Sequence, residues 1–222
     1  MMNKIGFGLL WLGFIGYAFF LAPPDNPATL GLIINLSTGN WTGINPLIIA
    51  LFNLMGIWPL IYACLLLIDG RGQKIPAWPF VILSFGVGAF GLLPYLALRQ
   101  PNPQFTGEKD WLLKVVDSRI IGIMLSLGAI SLLVFGFWQG NWGEFVREWQ
   151  SSRFIHVMSW DFCLLCGLFP ALLGDDLSRR GVKNDGIFWV ITFLPLIGPL
   201  AYLCFRPPLA NANINLKKLS PL

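Results

Sequence analysis

Along this chain hydrophobic and polar residues do not interleave at the period of an amphipathic helix or of a strand. The apolar residues fall in six long blocks, at 5–22, 45–68, 77–98, 120–138, 154–173 and 187–205. Each is long enough to cross roughly 30 Å of hydrocarbon as an α-helix. A membrane β-barrel would instead show strands of about ten residues that alternate apolar and polar. The pattern predicts an all-α membrane protein with six transmembrane helices and short interfacial helices between them. The first block follows Lys4 and ends near Ala22, as a signal peptide's apolar region does. We take it as retained and count it as the first spanning helix. The connections run to about twenty residues at most, too short for a soluble domain. Residues 1–208 are therefore expected to form one membrane domain, and 209–222 a disordered tail.

Composition agrees with lipid as the main solvent: 55% of the 222 residues are hydrophobic and 12% charged. Of 15 Lys+Arg and 11 Asp+Glu, only Asp161 lies inside a block. The cationic residues do not fix an orientation. With six crossings, eight of them (Lys4, Arg71, Lys74, Arg147, Arg153, Arg206, Lys217 and Lys218) lie on one face and seven (Arg99, Lys109, Lys114, Arg119, Arg179, Arg180 and Lys183) on the other.

An internal order accompanies this balance. Tyr95 to Pro101 reads YLALRQP and Tyr202 to Pro208 reads YLCFRPP, an offset of 107 residues. At an offset of 108, Asn53 matches Asp161 and Phe52 matches Trp160; Asn40–Trp41 recur as Asn141–Trp142 at a spacing of 101. These matches suggest repeats over 1–101 and 102–208. Three crossings per repeat would invert one half relative to the other, as in many secondary transporters. Interfaces also favour aromatic residues, Arg and Pro without any duplication.

Asp161 lies eight residues after Arg153, roughly 12 Å along a helix. A carboxylate at that depth costs several kcal/mol unless it is protonated or partnered. It reads either as a relay or substrate-binding group or as a hydrogen bond between helices. The partners available to it are Asn53, Ser159, Ser84, Ser126 and, by its long stem, Arg119. Asn53 and Asp161 would form the midplane site of a small transporter.

His156 is the only histidine. It suits hydrogen bonding at an interface better than ligation of chlorophyll magnesium or haem iron, and a bis-His haem would need a second histidine. Cys163 and Cys166 form a CxxC on an apolar helix, with neither the loop nor the second pair of a zinc or redox site; with Cys64 and Cys204 they read as packing residues. Pro59, Pro94, Pro170, Pro195 and Pro199 interrupt the blocks, as prolines do in broken transporter helices and in ordinary membrane helices alike.

Two connections carry surface-helix patterns. Trp142, Phe145, Val146 and Trp149 fall on one face, opposite Glu144, Arg147 and Glu148. Trp111, Leu112, Val115 and Val116 make a shorter stripe. Mixed charge argues against nucleic acid and against a polybasic lipid sensor. The chain lacks GxSxG, HExxH and Walker patterns and any paired His and carboxylate set, which points away from an enzyme and from a metal site.

At Phe52–Phe80 (FNLMGIWPLIYACLLLIDGRGQKIPAWPF) and Ser152–Phe162 (SRFIHVMSWDF), the chain resembles an uncharacterised multi-pass membrane-protein family shared by cyanobacteria and plant chloroplasts. The resemblance covers residues 40–208. It implies a thylakoid membrane location and a part in oxygenic photosynthesis, with other thylakoid subunits as partners, and chlorophyll or carotenoid as conceivable ligands. The expectation is a non-enzymatic assembly factor or accessory subunit; the transporter with a site at Asn53 and Asp161 stands beside it.

Overall fold

A computed structural model describes residues 4–105, 108–182 and 184–209, all of them helix or connection with no strand among them. The tail from 210 onward, Lys183, Lys217 and Lys218 lie outside the described residues. Four helices are long and apolar enough to cross a membrane: Lys4–Leu21, Pro46–Gly72, Arg119–Gln139 and Arg153–Arg179. The first is α1 (Lys4–Gly16) extended by a π-helical turn at Tyr17–Leu21. A short α2 (Thr29–Thr38) leads to the second, α3 (Pro46–Asp69). Asn45 starts α3 by accepting the Leu47 N–H, with Pro46 preset for the first turn.

The apolar block 77–98 forms two helices, α4 (Trp78–Val87) and α5 (Ala89–Leu98). Between them Gly88 takes φ 52°, a conformation other residues rarely adopt. The chain reverses there. The rings of Phe80 and Tyr95 lie 5.5 Å apart, whereas one helix would separate residues fifteen positions apart by about 22 Å. Gln73, before α4, bonds the Gln100 backbone, after α5, in both directions at 2.7 and 2.8 Å, so the hairpin's two ends meet.

After α6 (Trp111–Val116), the long α7 (Arg119–Gln139) leads to α8 (Trp142–Ser151). The fourth long helix consists of α9 (Arg153–Leu168) and α10 (Pro170–Arg179), divided where Pro170 lacks a donor. The last block again folds back, as α11 (Asp185–Phe193) and α12 (Ile197–Phe205). Its reversal is a γ-turn of the rare, strained kind: Leu196 at φ 61°, with the Ile197 N–H bonded to the Pro195 carbonyl at 2.6 Å. Gly198 packs against the Ile191 backbone, where a Cβ would collide.

The expected six crossings are thus corrected to four long helices and two hairpins. A ten-residue helix measures about 15 Å, half the hydrocarbon thickness. Hydropathy counts apolar length and is blind to a reversal inside it.

The expected inversion is corrected as well. Both hairpins open at one end of the molecule, where the ends of α3 and α10 also lie, because Arg99 and Arg179 both reach Asp69. Inverted halves would place the two hairpin mouths at opposite ends. Each half runs as long helix, short helix, long helix and hairpin, and two long helices return the chain to the end it left. The packing follows this order, with α1 against α5 and α7 against α12. At the opposite end Asn45 reaches the Asn141 carbonyl at 2.7 Å and Glu144, which sets α8 beside the start of α3. The main core surrounds Trp58, Tyr62 and Phe169, and a smaller one joins Leu36, Ile48, Ile49, Ile155 and Met158.

Candidate functional site

The most polar region is the end where the hairpins open, which we call the root. Its charges lie outside the six apolar blocks of the sequence, yet most are buried. Asp69, fully buried, accepts Tyr95 Oη–H at 2.7 Å, Arg99 Nε and Nη2 at 2.9 and 2.7 Å, and Arg179 Nη2 at 2.6 Å. Asp176, also fully buried, accepts Tyr202 Oη–H at 2.5 Å and Arg180 Nε at 2.8 Å, and Arg206 lies 3.6 Å away. The two sets correspond: Asp69 and Asp176, Tyr95 and Tyr202, and Arg99 and Arg206 are each 107 residues apart.

The sets are also linked. Arg179 spans both aspartates, and Asp175 pairs with Arg99. Asp117 joins Arg180 at 2.7 Å and Lys109 at 2.9 Å. Burial pushes the Asp117 carboxyl up, but Arg180 and the hydrogen bond from Lys109 outweigh it and hold it below its ordinary value. Arg206 gives its two terminal nitrogens to the Cys64 and Val116 carbonyls at 3.2 and 2.6 Å, so the second hairpin's last residue clasps α3 and α6. Removing one member would strand the others' buried charge, at about 3–5 kcal/mol.

The second polar feature lies at the tip of the first hairpin. Asp161, buried on α9, accepts the Ala89 N–H at 2.7 Å and so supplies from another helix the cap that α5 lacks in its own chain. The positive end of the α5 dipole adds to this attraction. A Cβ on Gly88 would collide with the same carboxylate, so glycine serves both the backbone turn and the close approach. At the second tip Leu196, 107 residues after Ala89, precedes α12 with no side-chain cap hydrogen bond. The cap from α9 is therefore particular to the first tip.

The partners expected for Asp161 lie elsewhere. Asn53 donates to the Ile49 carbonyl of its own helix at 2.8 Å, and Ser159 and Ser84 likewise bond within their own turns. Ser126 bonds the Gly122 carbonyl and lies 3.3 Å from Cys204. Arg119 is exposed at the start of α7, with no ion pair to Asp161. A backbone donor at a helix start, invisible to any search of side chains, takes their place.

His156 is held at both ring nitrogens, by Tyr17 Oη at 2.5 Å and the Trp149 carbonyl at 2.9 Å, and it stacks on the Trp149 ring. It joins α1 to α8 and α9. On α8, Phe145 and Trp149 pack on the smaller core while Trp142 and Val146 are exposed. In α6 the inward residues are Leu113 and Val116; Trp111, Leu112 and Val115 face outward. The four cysteines are free.

Among the described residues apolar hollows open beside Ile130 and Phe137, beside Leu9 and Trp160, and beside Leu47 and Phe162, and neither Asn53 nor Asp161 lines these three.

With this geometry in place, the chain can be set beside known proteins. It is 27% identical over 156 residues to the MFS-type transporter ltbE of Aspergillus luteorubrus, a match covering 68% of this chain and 26% of that protein. The chain thus spans about a quarter of that relative. No protein-family model matches, and no solved structure matches.

Proposed function

We propose that this protein is a non-enzymatic integral membrane subunit that acts as a rigid platform for other membrane chains. In this reading the four long helices cross the bilayer, the two hairpins are re-entrant from one side, and the halves are parallel repeats about an axis along the membrane normal. The observation that carries the proposal is that both hairpins are fastened at their roots and the first at its tip as well. Buried Asp–Arg–Tyr sets tie both roots, and Asp161 of α9 caps the first tip. Elements so fixed suit holding better than moving. The sequence resemblance adds the setting: a thylakoid membrane and an assembly or accessory role toward a photosynthetic complex.

A second reading has its own support. Paired broken helices with an acid at one tip are a way to build a transport site, and the similarity to an MFS-type transporter points the same way. Asp161→Asn separates the two readings. Asn keeps an oxygen for the Ala89 N–H and cannot ionise, so the platform should retain its partners, whereas a transporter that uses the carboxylate should lose uptake. Affinity purification from native membranes of the tagged protein and of Asp161→Asn is the test. Co-purifying photosynthetic subunits in both support the platform, and their absence from the unmodified protein rejects it.

A further inference from the structure

Each half's first long helix faces the other half's second long helix, and the two halves differ in that contact. In the second, α7 lies directly on α3, with Gly136 facing Ala50 and Gly140 facing Leu47 at distances a Cβ would not permit. In the first, α1 stands off from α9. Gly13 meets nothing within 4 Å, and a groove of about 410 Å³ opens between Leu9, Gly13 and Phe14 on one side and Trp160 and Leu164 on the other. The Tyr17–His156 hydrogen bond bridges the helices at one end of this groove.

Arg153 lies one turn before His156 on α9. Its Nε donates to the Pro23 carbonyl at 2.9 Å, which fixes the guanidinium, while its terminal nitrogens carry no hydrogen bond or ion pair among the described residues. A slender apolar slot thus reaches the Tyr17–His156 bridge, and a positioned cation with donors to spare stands one helical turn further along, where α9 begins. A partner helix does not suit the slot, since it would need an axis about 8–10 Å from both α1 and α9. The volume lies within the roughly 300–1,000 Å³ of small-ligand sites.

We propose that the groove between α1 and α9 binds one anionic lipid, its acyl chain in the slot and its headgroup on Arg153. This rests on the membrane placement above and not on the platform role, because it is read on the isolated protein without partners.

The test uses the full chain, washed in mild detergent and then exchanged into nanodiscs of equal phosphatidylglycerol and phosphatidylcholine, with retained lipid identified by native mass spectrometry. One phosphatidylglycerol per chain is expected to survive. Gly13→Phe, which fills the slot, should reduce retention about tenfold, near 1.4 kcal/mol, and Leu164→Trp should do the same from the other wall. Arg153→Gln should keep a lipid but lose the preference for phosphatidylglycerol. Val134→Trp, in a different hollow, should leave retention unchanged. No retained lipid, retention unaffected by both slot variants in proteins of normal melting temperature, or no headgroup preference in the unmodified protein would each overturn the proposal.

Discussion

The two hairpins have the same root and different tips. At each root an aspartate closing a long helix accepts the hydroxyl of a tyrosine 26 residues later and faces an arginine one turn beyond that tyrosine. At the first tip the turn falls on Gly88 and a carboxylate caps the next helix. At the second it falls on Leu196, buried and at positive φ, and no side chain caps the next helix. The root is an electrostatic solution that tolerates little change, because each buried charge depends on the others. A tip needs only a reversal, and two backbone conformations provide it.

Breaking the shared root should cost most. Arg179→Ala removes the residue that spans Asp69 and Asp176, and is expected to destabilise the protein by about 3–5 kcal/mol, read as a loss of folded protein in detergent thermal melts. If its melting temperature equals that of the unmodified protein, the two roots are not coupled through this residue.

Gly88→Ala tests the first tip alone. It meets both a positive φ and the Asp161 carboxylate, and should cost about 2–3 kcal/mol. The matched position in the second hairpin, Pro195, has no such requirement, so Pro195→Ala should be milder.

Asp161→Ala strips the cap, at about 1–2 kcal/mol, and should speed hydrogen exchange at Ala89 while Asp161→Asn leaves it near normal. Equal exchange in all three proteins would mean the carboxylate does not cap α5.

The second root has a pH-sensitive outer contact in Asp117. Its carboxyl is held below the ordinary value of 3.8, so its contribution to stability is complete above that value and lost as pH falls through the lower folded value. Acidification below about pH 4 should therefore lower the melting temperature more in the unmodified protein than in Asp117→Asn, whose own stability is lower at neutral pH.

At the small end, Arg71 and Asp110 form an exposed pair beside the first root, and Arg71→Ala should change stability by no more than about 0.5 kcal/mol. A larger effect would show that the first root extends to the surface as the second does through Asp117.

Sequence by itself determined that the chain is helical and lives among lipid, since six apolar blocks with a single charge among them leave no other solvent for so much apolar surface. It also singled out Asp161 as an intramembrane acid and displayed the repeated YxxxRxP at an offset of 107. The matching Asp69 and Asp176 stood in the sequence at the same offset, a signal that went unread because charges outside apolar blocks look solvated. Tertiary structure alone decided that two blocks reverse. The reversal depends on one backbone conformation at Gly88 and another at Leu196, and apolar residues on a returning helix have the same hydropathy as those on a continuing one. It alone decided Asp161's partner, a backbone N–H supplied by a helix start 72 residues earlier. Composition records how many polar groups must be satisfied; which donor meets which acceptor is settled only when distant segments pack.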